Sequence, residues 1–308
     1  MLDKHILIYY ILFMEIRLLR YFLAVAQEES ISKAADILHI TQPTLSRQLM
    51  DLEKELNTKL LIRGKRNKKI TLTDDGKLLK SRAQEIIDLT NKTESEFLFG
   101  DKNISGDIFI GGGETDAIRL IARTIRHLSL EYPNIKYHFY SGNGEDVKEK
   151  LNKGLLDFGV FIEPIDKKEY GFIQLPQNDT WGILMRKDSD LAKKEFIEPD
   201  DLINIPLFSS RQYLVKNLIS GWLGFDFEKL NIVGTYNLLY NASIMVEEGL
   251  GYALCIDKLI NISGESKLCF KPLKPKLEAG ILVAWTKNQP LSKIAKLFIK
   301  KLQEEITD

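Results

Sequence analysis

The stretch Ser30-Ile31-Ser32-Lys33-Ala34-Ala35-Asp36-Ile37-Leu38-His39-Ile40-Thr41-Gln42-Pro43-Thr44-Leu45-Ser46-Arg47-Gln48-Leu49 encodes two short helices with almost nothing between them. Ser32 fits the N-cap of the first, Lys33 to Leu38, whose small residues Ala34 and Ala35 allow close helix packing. His39-Ile40 makes a tight link and Thr41 caps the second helix. Pro43 falls in its first turn, where a missing N–H costs little. From Leu45 the apolar residues recur at Leu49, Leu52 and Leu56, a stripe that one side of a helix buries. The other side gathers Gln42, Thr44, Ser46, Arg47 and Gln48 at the amino-terminal end, where such side chains can bond base edges and phosphates. This is the helix-turn-helix layout, whose second helix points that end into the major groove. On these residues alone a plain helical bundle with a solvated face stays open.

Working outward, Met14 to Gln27 places Leu18, Phe22 and Val25 on one side of a preceding helix, with Leu19 and Ala26 close by. Downstream, Lys59 to Arg82 holds Lys59, Arg63, Lys65, Arg66, Lys68, Lys69, Lys77, Lys80 and Arg82 against only Asp74 and Asp75. Lys69-Ile70-Thr71-Leu72-Thr73 alternates as a strand does, and Gly64 and Asn67 supply turn chemistry before it. A basic hairpin directly after a recognition helix is the wing of a winged helix-turn-helix. Lying along phosphates, it adds affinity that is independent of sequence and sensitive to salt.

The run from Ala34-Ala35 through Thr41-Gln42-Pro43-Thr44-Leu45-Ser46-Arg47-Gln48-Leu49 to Leu52-Glu53 resembles the signature of LysR-type transcriptional regulators. Leu60-Leu61-Ile62-Arg63 and Leu72-Thr73-Asp74-Asp75-Gly76 resemble that family's wing, with Leu61 standing where an aromatic residue is usual. The resemblance implies a helix-turn-helix over 30–49 within a DNA-binding domain at 14–75. It implies that Gln42, Pro43, Thr44, Ser46, Arg47 and Gln48 face DNA, and that Arg63, Arg66, Lys68 and Lys69 hold its backbone.

Gly76 to Phe99 contains no proline and no internal glycine. Leu79, Ala83, Ile86, Thr90, Thr93 and Phe97 recur near the period of a coiled-coil seam. A helix of about 22 residues spans ~33 Å, too long to fold back on one small domain, so a second copy is the natural partner for its seam. The resemblance likewise implies a dimerising linker helix, placed at 76–102. A helix packed on its own carboxyl-terminal domain is the alternative.

From Ile104 the pattern changes class. Strand-like Asp107 to Ile110, helical Ile118 to Leu130 (Ile118, Ile121, Ile125 and Leu128 on one side), strand-like Ile135 to Phe139, helical Val147 to Lys153 and strand-like Phe158 to Ile162 alternate. Such alternation predicts an α/β domain with a largely parallel sheet. Gly182 to Met185 starts a second set, continued by Pro206 to Phe208, Asn231 to Val233 and Tyr252 to Ile256. Ile281 to Trp285 and Ile294 to Leu302 close the chain. The expected class is therefore α + α/β: an amino-terminal winged helix-turn-helix, a long linker helix, and a two-lobed α/β effector-binding domain. By the resemblance that domain, 103–308, is similar to periplasmic binding proteins, with one lobe near 103–177 plus 271–308 and the other near 178–270.

Gly111-Gly112-Gly113-Glu114-Thr115-Asp116 looks like a dinucleotide turn, but its two carboxylates repel a pyrophosphate and the third glycine of the fingerprint is missing. The resemblance places this turn at a cleft, so Glu114, Thr115 and Asp116 are expected to line an effector pocket. Ser209, Ser210 and Arg211 end a strand with hydroxyls and a guanidinium suited to a small anion, and Asn237 precedes another helix. For each of these, ordinary capping or surface polarity is an equal alternative.

The 308 residues are 44% hydrophobic and 28% charged, which excludes disorder and allows sizeable cores. Lys+Arg and Asp+Glu balance at 43 each, a sum that hides the basic hairpin. Two cysteines make no disulfide framework, Cys255 reading as a small core residue, and four histidines never fall at metal-ligand spacing. With no nucleophile elbow, phosphate loop or metal cluster, no catalytic residue and no cofactor is expected. The expected partners are double-stranded DNA, a small-molecule effector and further copies of the chain in a homo-oligomer, at a cytoplasmic location without membrane contact. A small-molecule-binding protein or α/β enzyme with a basic amino-terminal module is the competing class. Residues 1–13, with the apolar run Ile6 to Phe13, are too short to span a bilayer and lack a cleavage site, and read as an extension upstream of a start at Met14.

Overall fold

The computed structural model describes residues 14–63, 69–97, 104–211 and 213–307. The extension 1–13 and the wing residues Arg66 and Lys68 lie outside them. The chain forms two units, residues 1–94 and 95–308.

In the first unit, helices α1 (Ile16–Glu28), α2 (Ile31–Ile37) and α3 (Gln42–Glu55) enclose Phe22, Val25, Ala34, Ala35, Leu45, Leu49 and Leu52. The leucine stripe of α3 is buried through Leu52, while Leu56 at the helix end is exposed. Ser30, not Ser32, caps α2: its hydroxyl accepts the N–H of Lys33 at 3.4 Å. The reason lies one residue earlier. Glu29 ends α1 in the left-handed region (φ 51°), which brings Ser30 into the extended cap position. His39 at the link is also left-handed, φ 54°. The N–H groups of Leu38, His39 and Ile40 donate back to Ala34, Asp36 and Ala35, and these bonds hold the strained residue in place.

Strands β1 (Leu61–Ile62) and β2 (Thr71–Leu72) pair antiparallel, Leu61 opposite Leu72. The Thr73 hydroxyl then accepts the Gly76 N–H at 2.9 Å and opens α4 (Asp74–Phe97). The inward side of α4 is not the whole predicted seam. Ala83 and Ile87 pack with Leu19 of α1, whereas Ile86 and Leu89 are exposed. The physical reason is that α1 already offers an apolar flank, so the first half of α4 buries the side turned toward its own helices.

The second unit contains β3 (Gly106–Gly112), α5 (Ile118–Glu131), β4 (Ile135–Ser141), α6 (Gly144–Asn152), β5 (Phe158–Ile162) and β6 (Tyr170–Arg186). It continues with β7 (Leu207–Ser210), α7 (Tyr213–Leu223), β8 (Ile232–Tyr236), α8 (Leu239–Glu247), β9 (Tyr252–Ile256), β10 (Leu268–Pro272), β11 (Glu278–Thr286) and α9 (Lys293–Thr307). The strands run in the order β4-β3-β5-β11-β6-β9-β7-β8, with β10 also on β6. The sheet is mixed rather than largely parallel. β3 is parallel to β4 and β5, and β7 to β8 and β9, but every pairing of β6 and β11 is antiparallel. These are the two strands on which the chain crosses between lobes, and each crosses against the direction of its neighbours. β6 alone has 17 residues and belongs to both lobes.

Each lobe is helix-covered on both faces, which is why its strands read as continuous apolar runs. In the first lobe α5 and α9 cover Ile108, Phe158 and Val283, and α6 covers Phe161 and Leu282 from the other side. On α5, Leu120, Ile121, Thr124 and Leu128 are buried, while Ile118 of the predicted stripe is exposed. In the second lobe α7 covers Ile183 and Leu254, and α8 covers Leu184, Ala253 and Cys255. Gly111 lies inside β3, where a Cβ would stand 2.4 Å from the side chain of Leu156. That glycine serves close packing of β3 against the α6 side.

Candidate functional site

Two regions collect the chemistry-bearing residues. The first is the start of α3. Thr41 accepts the Thr44 N–H at 3.4 Å and its hydroxyl meets that of Thr44 at 2.7 Å, so the helix begins sharply at Gln42. Gln42, Pro43, Thr44 and Arg47 are exposed, and Ser46 and Gln48 half-buried. The buried leucines on the far side fix which side chains face outward.

The wing is tied to this unit by carboxylates. Glu53 of α3 accepts the N–H groups of Leu60 and Leu61 at 2.9 and 3.0 Å and also meets Arg63 at 3.3 Å. Arg63 is thus held at the base of β1 rather than standing free. Lys69 is paired with Glu29 of α1, and the Ile70 N–H donates to the Glu29 carbonyl at 2.9 Å. The same pair holds the Glu29 carboxyl below its ordinary range and the Lys69 ammonium above its own.

The second region is a cavity of about 340 Å³ between the lobes. Of the residues expected at a cleft, it brings together Glu114, Ser210 and Asn237. Thr115 and Asp116 instead border an adjoining hollow with Arg119 and Lys258, and Ser209 and Arg211 line neither. Thr115 is buried and donates to Asp179 of β6 at 2.6 Å, while Asp116 accepts from Arg119 at 2.6 Å. Arg211 is exposed.

Glu114 leaves the β3–α5 turn of the first lobe and its carboxylate accepts the N–H of Leu239, the first residue of α8 in the second. A carboxylate suits that place because the leading N–H groups of a helix lack partners within it. Asn237 accepts the Leu238 N–H at 3.0 Å beside it. The Thr235-Tyr236-Asn237 turn also brings Tyr236 to this wall, whereas sequence patterning did not point to Phe161, Trp181 or Cys255, which line it too. These three sit in apolar strand runs, Phe161 in the first lobe and Trp181 and Cys255 in the second, and only the meeting of the two lobes makes a wall of them. Burial pushes the Tyr236 hydroxyl and the Cys255 thiol well above their ordinary pKa, so both are neutral. Tyr236 donates to the Leu254 carbonyl at 2.6 Å.

Both cysteines are free thiols, and among the described residues no three His, Cys, Asp or Glu side chains are placed to hold a metal. No described helix is long and apolar enough to cross a membrane.

Comparison with known proteins assigns these two regions to two known domains. Residues 16–77 match the family described as "Bacterial regulatory helix-turn-helix protein, lysR family", and residues 102–307 match "LysR substrate binding domain". The Hca operon transcriptional activator HcaR of Escherichia coli is 27% identical over 299 residues, spanning 95% of this chain and 98% of that one. The uncharacterized HTH-type transcriptional regulator YvbU of Bacillus subtilis is 28% identical over 296 residues, spanning 94% and 98%. Among solved structures, CbnR, a LysR family transcriptional regulator, shares the fold with a TM-score of 0.75 at 16% identity, covering 96% of this chain and all of that one. With a helix-turn-helix presented on α3, a two-lobed α/β domain in the second unit and both family matches in place, the chain belongs to the LysR family of DNA-binding, effector-responsive transcriptional regulators.

Proposed function

We propose that α3 enters the major groove of double-stranded DNA with Gln42, Pro43, Thr44, Ser46, Arg47 and Gln48 toward the bases and nearby phosphates. Arg63, Arg66, Lys68 and Lys69 then follow the backbone. The observation that carries this reading is the start of α3: Gln42, Pro43, Thr44 and Arg47 stand exposed there while Leu45, Leu49 and Leu52 are buried behind them. The working parts are a DNA-binding domain over 14–75, a linker over 76–102 that pairs two copies, and an effector domain over 103–308. The exposed Ile86 and Leu89 of α4 supply an apolar side for that pairing. Paired recognition helices read half-sites about one helical turn apart.

In the effector domain the cavity between the lobes takes a small molecule. Such a ligand shifts the regulator only by binding one lobe arrangement better than another. The chain acts as a regulator in the cytoplasm and not as an enzyme, in keeping with its family.

The test is fluorescence anisotropy of the full chain with DNA from immediately upstream of its own gene and with a scrambled fragment, each at low and moderate salt. Preference for the upstream fragment that falls steeply with salt is expected. R47A should weaken that preference by ~1–3 kcal/mol. No binding even at low salt would overturn the reading.

A further inference from the structure

The cavity between the lobes has an uneven charge. Glu114, Glu145, Glu163 and Asp166 line it, against Lys148 alone among the ammonium and guanidinium groups of its wall. Lys167 offsets Glu163 at 2.5 Å, which leaves three carboxylates facing one lysine. Two helix starts face this wall, where leading N–H groups would welcome an anion: at α8 the Glu114 carboxylate already accepts the Leu239 N–H, and at α6 the Asn143 side chain already accepts those of Glu145 and Asp146. Apart from Asn143, Ser210 and Asn237, the remaining wall is largely apolar and aromatic. Tyr236 spends its hydroxyl on Leu254, so it offers a ligand its ring, and Phe161 and Trp181 stand in the same wall. Trp181 is 4% exposed, and its indole N–H finds no acceptor among the described residues.

Building on the reading of this cavity as the effector site, we propose that its ligand is a small organic cation: an amine on an aromatic body that also carries a hydrogen-bond acceptor. Its ammonium is seated by Glu114. Partly enclosed charges of opposite sign attract several times more strongly than in bulk water, and the aromatic faces favour a cation further. An aromatic carboxylate of the same size meets a field of its own sign instead. A carboxylate offers about four lone-pair sites, so Glu114 can accept from the ammonium and keep Leu239. The cation thereby adds to a contact joining the two lobes, which is how its presence would reach their relative arrangement.

The test is calorimetric titration of the full chain with three probes of matched shape: tyramine, its neutral analogue tyrosol, and para-hydroxyphenylacetate. Each is repeated with E114Q and with L238W, which fills the cavity. E114Q keeps an amide oxygen for the Leu239 N–H, and its unliganded melting curve checks the fold. Tyramine is expected to bind at least about tenfold tighter than the carboxylate, an advantage of about 1.4 kcal/mol. E114Q should erase that advantage and L238W should abolish binding. Carboxylate binding as tight as tyramine, and blocked by L238W, would overturn the cation assignment while leaving the cavity as effector site. Tyramine binding indifferent to L238W, or no binding by any probe, would overturn both.

Discussion

The Thr115 hydroxyl donates to the Asp179 carboxylate at 2.6 Å, joining the first turn of the effector domain to the strand that crosses between its lobes. Both groups are buried. Burial, with Asp257 nearby, raises the Asp179 pKa above its ordinary value, while Thr115 pulls it down. A carboxyl whose folded pKa is raised binds more protons folded than unfolded. Its contribution therefore turns less favourable as pH climbs from the ordinary carboxylate range through the folded value. T115V removes the donor, and it is expected to cost ~1–3 kcal/mol at neutral pH, the price of an unmet buried acceptor. Thermal melts at mildly acidic and neutral pH check this: the loss should shrink on acidification. D179N should flatten that part of the pH dependence.

The Glu29–Lys69 pair sits at the root of the wing, with the Lys69 side chain largely open to solvent and Glu29 half-buried. E29Q frees Lys69 for phosphate. The expected result is tighter binding to any duplex and a log–log salt slope steeper by about one counterion. Anisotropy titrations on scrambled DNA over a salt series check it, and an unchanged slope would show that Lys69 does not reach the backbone.

Gly76 lies in the first turn of α4, where a Cβ would come within 2.2 Å of the Leu60 carbonyl oxygen. That atom is backbone and anchored next to β1, so it cannot swing aside. G76A should destabilise the amino-terminal unit by ~1–3 kcal/mol. Hydrogen exchange at α1 to α3 should rise while exchange in the second unit stays as it was.

Ile86 and Ile87 are neighbours on α4 with opposite fates, one exposed and one buried against Leu19 and Ala83. I87A should cost ~2–5 kcal/mol of unit stability, as a large-to-small change in a core does. I86E should leave stability near its starting value and weaken self-association. Sedimentation equilibrium beside thermal melts separates the two effects.

These neighbours also show where sequence reading succeeds and where it stops. The α3 stripe was legible because Leu45, Leu49 and Leu52 keep helical spacing behind a Thr41 cap, and local chemistry alone decides both. The choice of Ser30 over Ser32 depends on the left-handed Glu29, and that of Ile87 over Ile86 on the flank of α1. Both are settled by tertiary contact. In the cavity, Glu114, Ser210 and Asn237 stood out because they end strands in polar turns. Trp181 and Cys255 look like interior strand residues, and only the meeting of two lobes turns them into a wall.

The crossing itself has a mechanical consequence. β6 and β11 pair regularly on either side of a register break between Gly280 and Leu282, and the Gln174 side chain fills it by donating to the Ile281 carbonyl at 3.1 Å and to Glu163 at 3.2 Å. A break of this kind is where a ladder bends most easily. The lobes are therefore joined by a torsion joint made of sheet instead of a loose tether. It lies one side chain from the cavity wall, because Glu163 both lines the cavity and accepts from the Gln174 side chain at the break.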